Sequence, residues 1–191
     1  MAKLPPRERI LDAAEELFSR EGIKGVGVQA IASRAETTKM ALYRHFATKD
    51  ALVEEWLRIV AADYTAAFDR LEAAHPDDPR AQLLGVARFI ADGLPDISHR
   101  GCPFINSIAE LPDRTHPARL VIEAHKAGQA RRIADLCARA GLPDPDEAAA
   151  EITFVLEGAQ VSAQNGSVEH VGERLVRIVE GVLDRRSARA R

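Results

Sequence analysis

Lys39, Met40, Tyr43 and Arg44 are the residues of this 191-residue chain whose types and spacing point most directly to chemistry. They lie in Thr38-Lys-Met-Ala-Leu-Tyr-Arg-His-Phe46, where Leu42 and Phe46, four apart, read as the inward side of a short helix. Met40 and Arg44, also four apart, look away from that pair, with Lys39 and Tyr43 at the flank. A thioether, two cations and a phenol facing outward suit contacts to base edges and phosphate oxygens. Just upstream, Val28, Ile31, Ala32 and Ala35 recur at i, i+3, i+4 and i+7, the apolar face of another helix. Thr37 or Thr38 is placed to cap the second helix through its hydroxyl. Two short helices and a tight turn predict a helix-turn-helix whose second helix enters the major groove of DNA.

Other reactive side chains form weaker groups. His99-x-x-Cys102, His116 and Glu123-x-His125 match no tight metal-ligand spacing. An enzyme using His116, Glu123 and His125 as acid–base groups would lack a nucleophile–base spacing and a glycine-rich phosphate loop. No catalytic residue, metal or cofactor is expected. Cys102 and Cys137 are too few for a disulfide framework and read as buried or inert thiols, with a redox sensor as the alternative for either.

These side chains must be positioned by helices, because sustained period-2 alternation is absent. A helix over about 7–21 turns Ile10, Leu11, Ala14, Leu17 and Phe18 inward and stops at Gly22, while residues 1–6 read as an arm that places Lys3 and Arg7 near DNA or in solvent. The fourth helix runs from near Thr48 to about His75, with Trp56, Val60, Tyr64 and Phe68 as a core stripe. Further helices are predicted over 79–94, 104–111, 117–140 and 146–164. Asn165-Gly166 is a turn, Ser167 caps a last helix to about Arg186, and a tail from Arg185 is expected to be disordered. The fold class is all-α, about nine helices, with a three-helix N-terminal domain over 1–48 joined to a larger bundle over 49–191.

Composition agrees with a DNA-binding head. The net charge is −3, yet residues 1–50 hold nine Lys/Arg against seven Asp/Glu, so the basic excess sits with the motif. No apolar run approaches the length of a membrane span, and Met-Ala-Lys-Leu-Pro-Pro-Arg lacks the apolar core of a signal peptide, so no membrane partner and a cytoplasmic location are expected.

Residues 7–52 resemble the DNA-binding domain of the tetracycline-repressor (TetR) family of bacterial transcription regulators. The matching residues are Ile10-Leu-Asp-Ala-Ala-Glu-Glu-Leu-Phe18, Glu21-Gly22-Ile23, Ile31-Ala32, Thr38 through Phe46, and Lys49-Asp-Ala-Leu52. Two positions depart from the family pattern. Val26-Gly27 stands where a Ser or Thr usually precedes the second helix, so Gly27 brings no side-chain acceptor. Glu36 replaces the usual turn glycine, at a cost on the order of 1 kcal/mol if it is left-handed.

The resemblance implies DNA contacts for Gln29, Thr38, Lys39, Met40, Tyr43, Arg44, His45 and Lys49, and a homodimer on a pseudo-palindromic operator. It also implies a small-molecule effector of unidentified class, bound near Tyr64 and Phe68 of the connecting helix. Arg100-Gly-Cys-Pro-Phe-Ile-Asn106 resembles a stretch recurring in one branch of the family, and Phe104, Asn106 and Ile108 suit a mostly apolar pocket. Glu157, apolar-flanked, is a further candidate for it. Control by a protein partner instead of a small molecule remains open.

For the dimer, 168–183 offers Val168, Val171, Leu175, Ile178, Val179, Val182 and Leu183 as a broad apolar stripe. The preceding helix offers Ile152, Val155, Leu156, Ala159 and Val161-Ser-Ala163. Two helices from each copy would form a twofold four-helix interface, as the resemblance implies, with Ile152, Val155, Ala159, Leu175, Ile178, Val179 and Val182 in it.

Overall fold

A computed structural model describes residues 4–95 and 101–189. Among them are nine helices and no strand: α1 (Pro6–Gly25), α2 (Val28–Arg34), α3 (Lys39–His45), α4 (Lys49–Ala74), α5 (Pro79–Gly93), α6 (Pro103–Glu110), α7 (Pro117–Arg139), α8 (Pro145–Asn165) and α9 (Val171–Arg189). Five of these open on a proline. The first-turn N–H that proline lacks has no intrahelical acceptor anyway, and its fixed φ suits the start of a helix. Gly22 interrupts α1 with φ 80° and ψ 165°, so the break expected there exists and a short helical piece follows it.

The described chain divides into two compact units, Met1–Ala62 with Ser98–Ala124, and Asp63–Ile97 with His125–Arg191. In the first, α1 packs against α2, α3 and α6. Ile10, Ala14 and Phe18 from α1 join Ile31, Leu42 and Leu57 in its core, and Phe18 meets Trp56 at 5.2 Å between ring centroids. These units describe packing; the boundary expected at residue 48 concerns function.

In the second unit α5, α8 and α9 pack together around Leu83, Ile152, Leu156, Leu175 and Val179. Gly172 permits the close approach of α9 to α5, since a Cβ there would lie 3.3 Å from the Ala91 Cβ and 3.4 Å from its carbonyl oxygen. Buried Gln82 donates from Nε2 to the His75 carbonyl at 2.5 Å, satisfying an end of α4 that its own helix cannot. Arg132 stacks over Phe68 at 5.6 Å and bonds Asp69 at 2.6 Å.

Two expectations about α9 are corrected. Ser167 does not cap it; the helix begins at Val171, after His170 at φ 54°. The Ser167 N–H is taken by the Asn165 side chain at 2.8 Å and Gly166 is left-handed, so the chain turns once more before a helix can start. Val168 therefore lies outside the helix. Nor does order stop at Arg185, for α9 continues to Arg189, held where Arg185 and Arg186 each pair with Glu151 at 3.0 Å.

Candidate nucleic-acid interface

The motif is assembled from short-range signals. Gly27 occupies the N-cap of α2 and makes no side-chain cap bond. The turn after α2 passes through Glu36 at φ 50°, the left-handed position that its departure from glycine foreshadowed. Thr38 then caps α3, its Oγ1 accepting the Ala41 N–H at 3.1 Å, a bond worth about 1 kcal/mol. Leu42 and Phe46 are buried under α3, so the side chains between them are turned outward. Met40 is 70% exposed and Tyr43 41%, and Gln29, Thr38, Lys39, Arg44 and His45 are exposed with them. The Lys39 ammonium lies 5.9 Å from the centre of the Tyr43 ring, and the Arg44 guanidinium reaches the Met40 sulfur at 3.9 Å. Seven residues of helix span roughly 10 Å, a length the major groove of B-DNA admits.

Lys49 stands apart from this group. It is half-buried, and its Nζ donates to the Ile23 carbonyl at 2.5 Å, just beyond the α1 break. Its ammonium holds two remaining protons for a phosphate, so a structural bond and a DNA contact are compatible. Arg7 is exposed, as one of its two expected placements had it, but it belongs to α1 and not to an arm, stacks over Phe46 at 5.4 Å and pairs with Glu55 at 2.5 Å. Lys3 lies outside the described residues. The Glu110 carboxylate at the end of α6 accepts the Lys24 N–H at 2.7 Å, so Ile23 and Lys24 are held from two elements. Sequence reasoning missed Glu110, because nothing local connects it to a residue 86 positions away.

The other candidate residues divide between the two units. Of the effector-pocket residues, Phe104, Asn106 and Ile108 belong to the first unit, and Tyr64, Phe68 and Glu157 to the second. Phe104 is buried, Asn106 and Ile108 are half-buried, and Glu157 is paired with Lys126 at 3.0 Å. Tyr64 meets Phe89 and His125 edge-on at 5.6 and 5.7 Å. Burial, with the Lys126 charge adding to it, pushes the His125 pKa down from 6.5 to about 4. The unfolded chain therefore binds a proton there that the folded chain refuses between those values. Stability from this residue is level above about pH 6.5 and is lost as pH falls towards 4. The melting temperature of His125→Gln is expected to fall less between pH 7 and 4.5 than that of the unaltered chain; parallel curves would exclude this assignment.

His116 lies 3.6 Å from Asp50 and Glu123 pairs with Arg119 at 2.9 Å, so His116, Glu123 and His125 occupy separate surroundings. Among the described residues, no three His, Cys, Asp or Glu side chains gather where a metal could sit; His99 lies outside those residues. Cys102 and Cys137 are both buried and unbridged, and burial raises the Cys137 thiol to about 11. No helix among the described residues is long and apolar enough to cross a membrane.

The residues expected at the dimer interface differ in how far the single chain already buries them. Ile152, Leu175, Val179 and Val182 are at most 1% exposed in the single chain and Ala159 is 9%, so they have almost no surface left for a partner. Val155 is half-buried. Of the seven, Ile178 alone is open, at 49%. Phe154 at 73% and Val161 at 42% are the apolar side chains that α8 turns outward, and Phe154 was not among those expected. The period of the stripe identifies apolar positions, but the packing of α5, α8 and α9 on one another decides which of them are covered.

The profile described as "Bacterial regulatory proteins, tetR family" matches residues 10–56. The chain is similar to a TetR-family transcriptional regulator from Streptomyces coelicolor, SCO4454, with 32% identity, 95% of this chain and 96% of that one covered, and a TM-score of 0.89. A putative TetR transcriptional regulator from Streptomyces avermitilis superposes with a TM-score of 0.83 at 29% identity, covering 96% and 99% of the two chains. The HTH-type transcriptional regulator BetI of Burkholderia mallei is 34% identical over 90 residues, 45% of this chain and 46% of that protein.

Proposed function

The chain belongs to the TetR family of bacterial transcriptional regulators, and from that premise we propose that it is an effector-responsive repressor acting in the cytoplasm. On this reading it binds a pseudo-palindromic operator as a homodimer, with residues 1–48 on DNA and 49–191 serving effector binding and dimerisation. The observation that carries the DNA-binding reading is the outward face of α3, where Lys39, Met40, Tyr43, Arg44 and His45 are exposed above a buried Leu42 and Phe46. Lys39, Tyr43 and Lys49 contact phosphates, and Met40 and Arg44 contact base edges, with Gln29, Thr38 and His45 flanking them. Two recognition helices on one duplex stand about 34–36 Å apart, or a further turn when the operator is longer.

Effector control is proposed to run through α4. No proline or glycine lies between Lys49 and Ala74, so displacement of its Tyr64–Phe68 segment is not absorbed at a hinge. A small rotation of each head is enough to spoil simultaneous entry into successive grooves. The effector can shift the equilibrium only by its differential affinity for the two states, typically 1–3 kcal/mol of coupling. The test begins with a mobility shift on the gene's own upstream DNA and a thermal-shift screen for a stabilising small molecule. Saturating operator is then expected to weaken that molecule's binding about 5–150-fold, by the same factor as it weakens the operator. Equal dissociation constants with and without operator would refute effector control and leave DNA binding standing.

A further inference from the structure

We propose that the meeting surface of two copies is locked by Phe154, whose ring enters a hollow of the other copy formed between α7 and α8. The inference rests on the dimeric reading above and names the residues that carry it. Phe154 is the most exposed large apolar side chain among the described residues. Beside it lies a hollow of about 380 Å³ walled by Ala130 and Ala134 of α7 and Ala149 and Ala150 of α8, with Phe154 itself at the rim. The hollow is open to solvent and its lining is mostly apolar, so a phenyl ring laid into it from another copy covers apolar surface that is otherwise wet. Four alanines leave the helix surfaces bare where longer side chains would fill the space from within.

A protruding ring next to a hollow on one patch is what a twofold contact requires, because residue i of each copy must meet residue j of the other. The charges follow the same rule. Arg131 and Asp146 flank the hollow, both are exposed, and neither belongs to any of the ion pairs described above. A patch of one sign would repel its own copy, whereas this one can set Arg131 of each copy against Asp146 of the other. Along α8, Gly158 has nothing within 4 Å of where its Cβ would stand, and Val161 is exposed two turns beyond Phe154. The second helix surface can therefore approach closely on that side. An exposed apolar patch rimmed by charge is a protein-contact surface, and its self-complementarity selects a second copy of this chain as the occupant.

Sedimentation equilibrium of the full chain from nanomolar to high micromolar concentration tests the lock. A buried aromatic anchor is worth about thirtyfold or more in Kd, and a symmetric interface holds two. Phe154→Ala is therefore expected to raise the dimer Kd about a hundredfold or more, with helix content unchanged. Arg131→Asp is expected to weaken the dimer, and Asp146→Arg added to it to restore much of the loss, which a merely structural role for either residue would not do. A dimer whose Kd moves less than threefold in Phe154→Ala, or charge reversal without rescue, overturns the lock while leaving dimerisation in place. An unaltered chain that stays monomeric throughout overturns both the lock and the dimeric reading.

Discussion

Replacing Met40 and Arg44 together with alanine is expected to change which operator base pairs this protein prefers while leaving its melting temperature unmoved. Both side chains are exposed, and they meet each other through the Arg44 guanidinium and the Met40 sulfur, not through the core beneath. Each well-formed base contact contributes roughly 1–3 kcal/mol of discrimination, about 5–150-fold in relative affinity at the contacted position. Lys39→Ala is expected to behave differently. It weakens binding to every sequence alike and flattens the salt dependence by about one unit, because a phosphate contact carries no sequence information. Lys49→Ala should show that uniform loss together with a lower melting temperature, since its ammonium also holds the Ile23 carbonyl. Selection from randomised duplexes, followed by Kd at several salt concentrations, separates the three behaviours. If all variants lose affinity with the same sequence preference, the division into base and phosphate contacts is wrong.

Val179→Asp is expected to destabilise the fold severely, whereas Ile178→Asp, one residue away, leaves the single chain intact and acts on self-association. Val179 has no exposed surface and lies in the cluster with Leu83, Ile152 and Leu175. A carboxylate placed there has no charged partner among those side chains, and an uncompensated buried charge costs about 3–5 kcal/mol. For a chain of this length, that lowers the melting temperature by roughly 10 °C. Ile178 is half exposed, and its replacement removes apolar surface without burying charge. Thermal unfolding must be compared where both variants are monomeric, because dimerisation itself raises apparent stability. A Val179→Asp chain melting with the unaltered protein would contradict the packing of α9.

The DNA-binding motif was legible in the sequence because its signals act within a few residues. Thr38 supplies an oxygen to an N–H three positions on, and Leu42 and Phe46 are brought to one side by the helical period alone. The departure at Glu36 announced a left-handed residue, which the turn contains. Prolines and glycines marked most helix boundaries to within a residue or two, since a missing N–H or a positive φ is a property of the residue and its nearest neighbours. Family membership followed from the same ordered set of residues.

What the sequence left open was the allocation of long-range partners. Helical period shows that Ile178, Val179 and Val182 are apolar, but it cannot say that α5 and α8 would cover the last two and leave the first in the open. It placed Arg7 near DNA or in solvent, and carried no sign that this exposed side chain also stacks on Phe46 and pairs with Glu55, 48 positions away. It carried no trace of the Glu110–Lys24 bond, and it placed the start of α9 three residues early because Ser167 is a competent cap whose N–H is claimed by Asn165. Local capping and turn energies determined the motif and the helix list. Burial, which depends on which surfaces meet across tens of residues, was decided only by the tertiary structure.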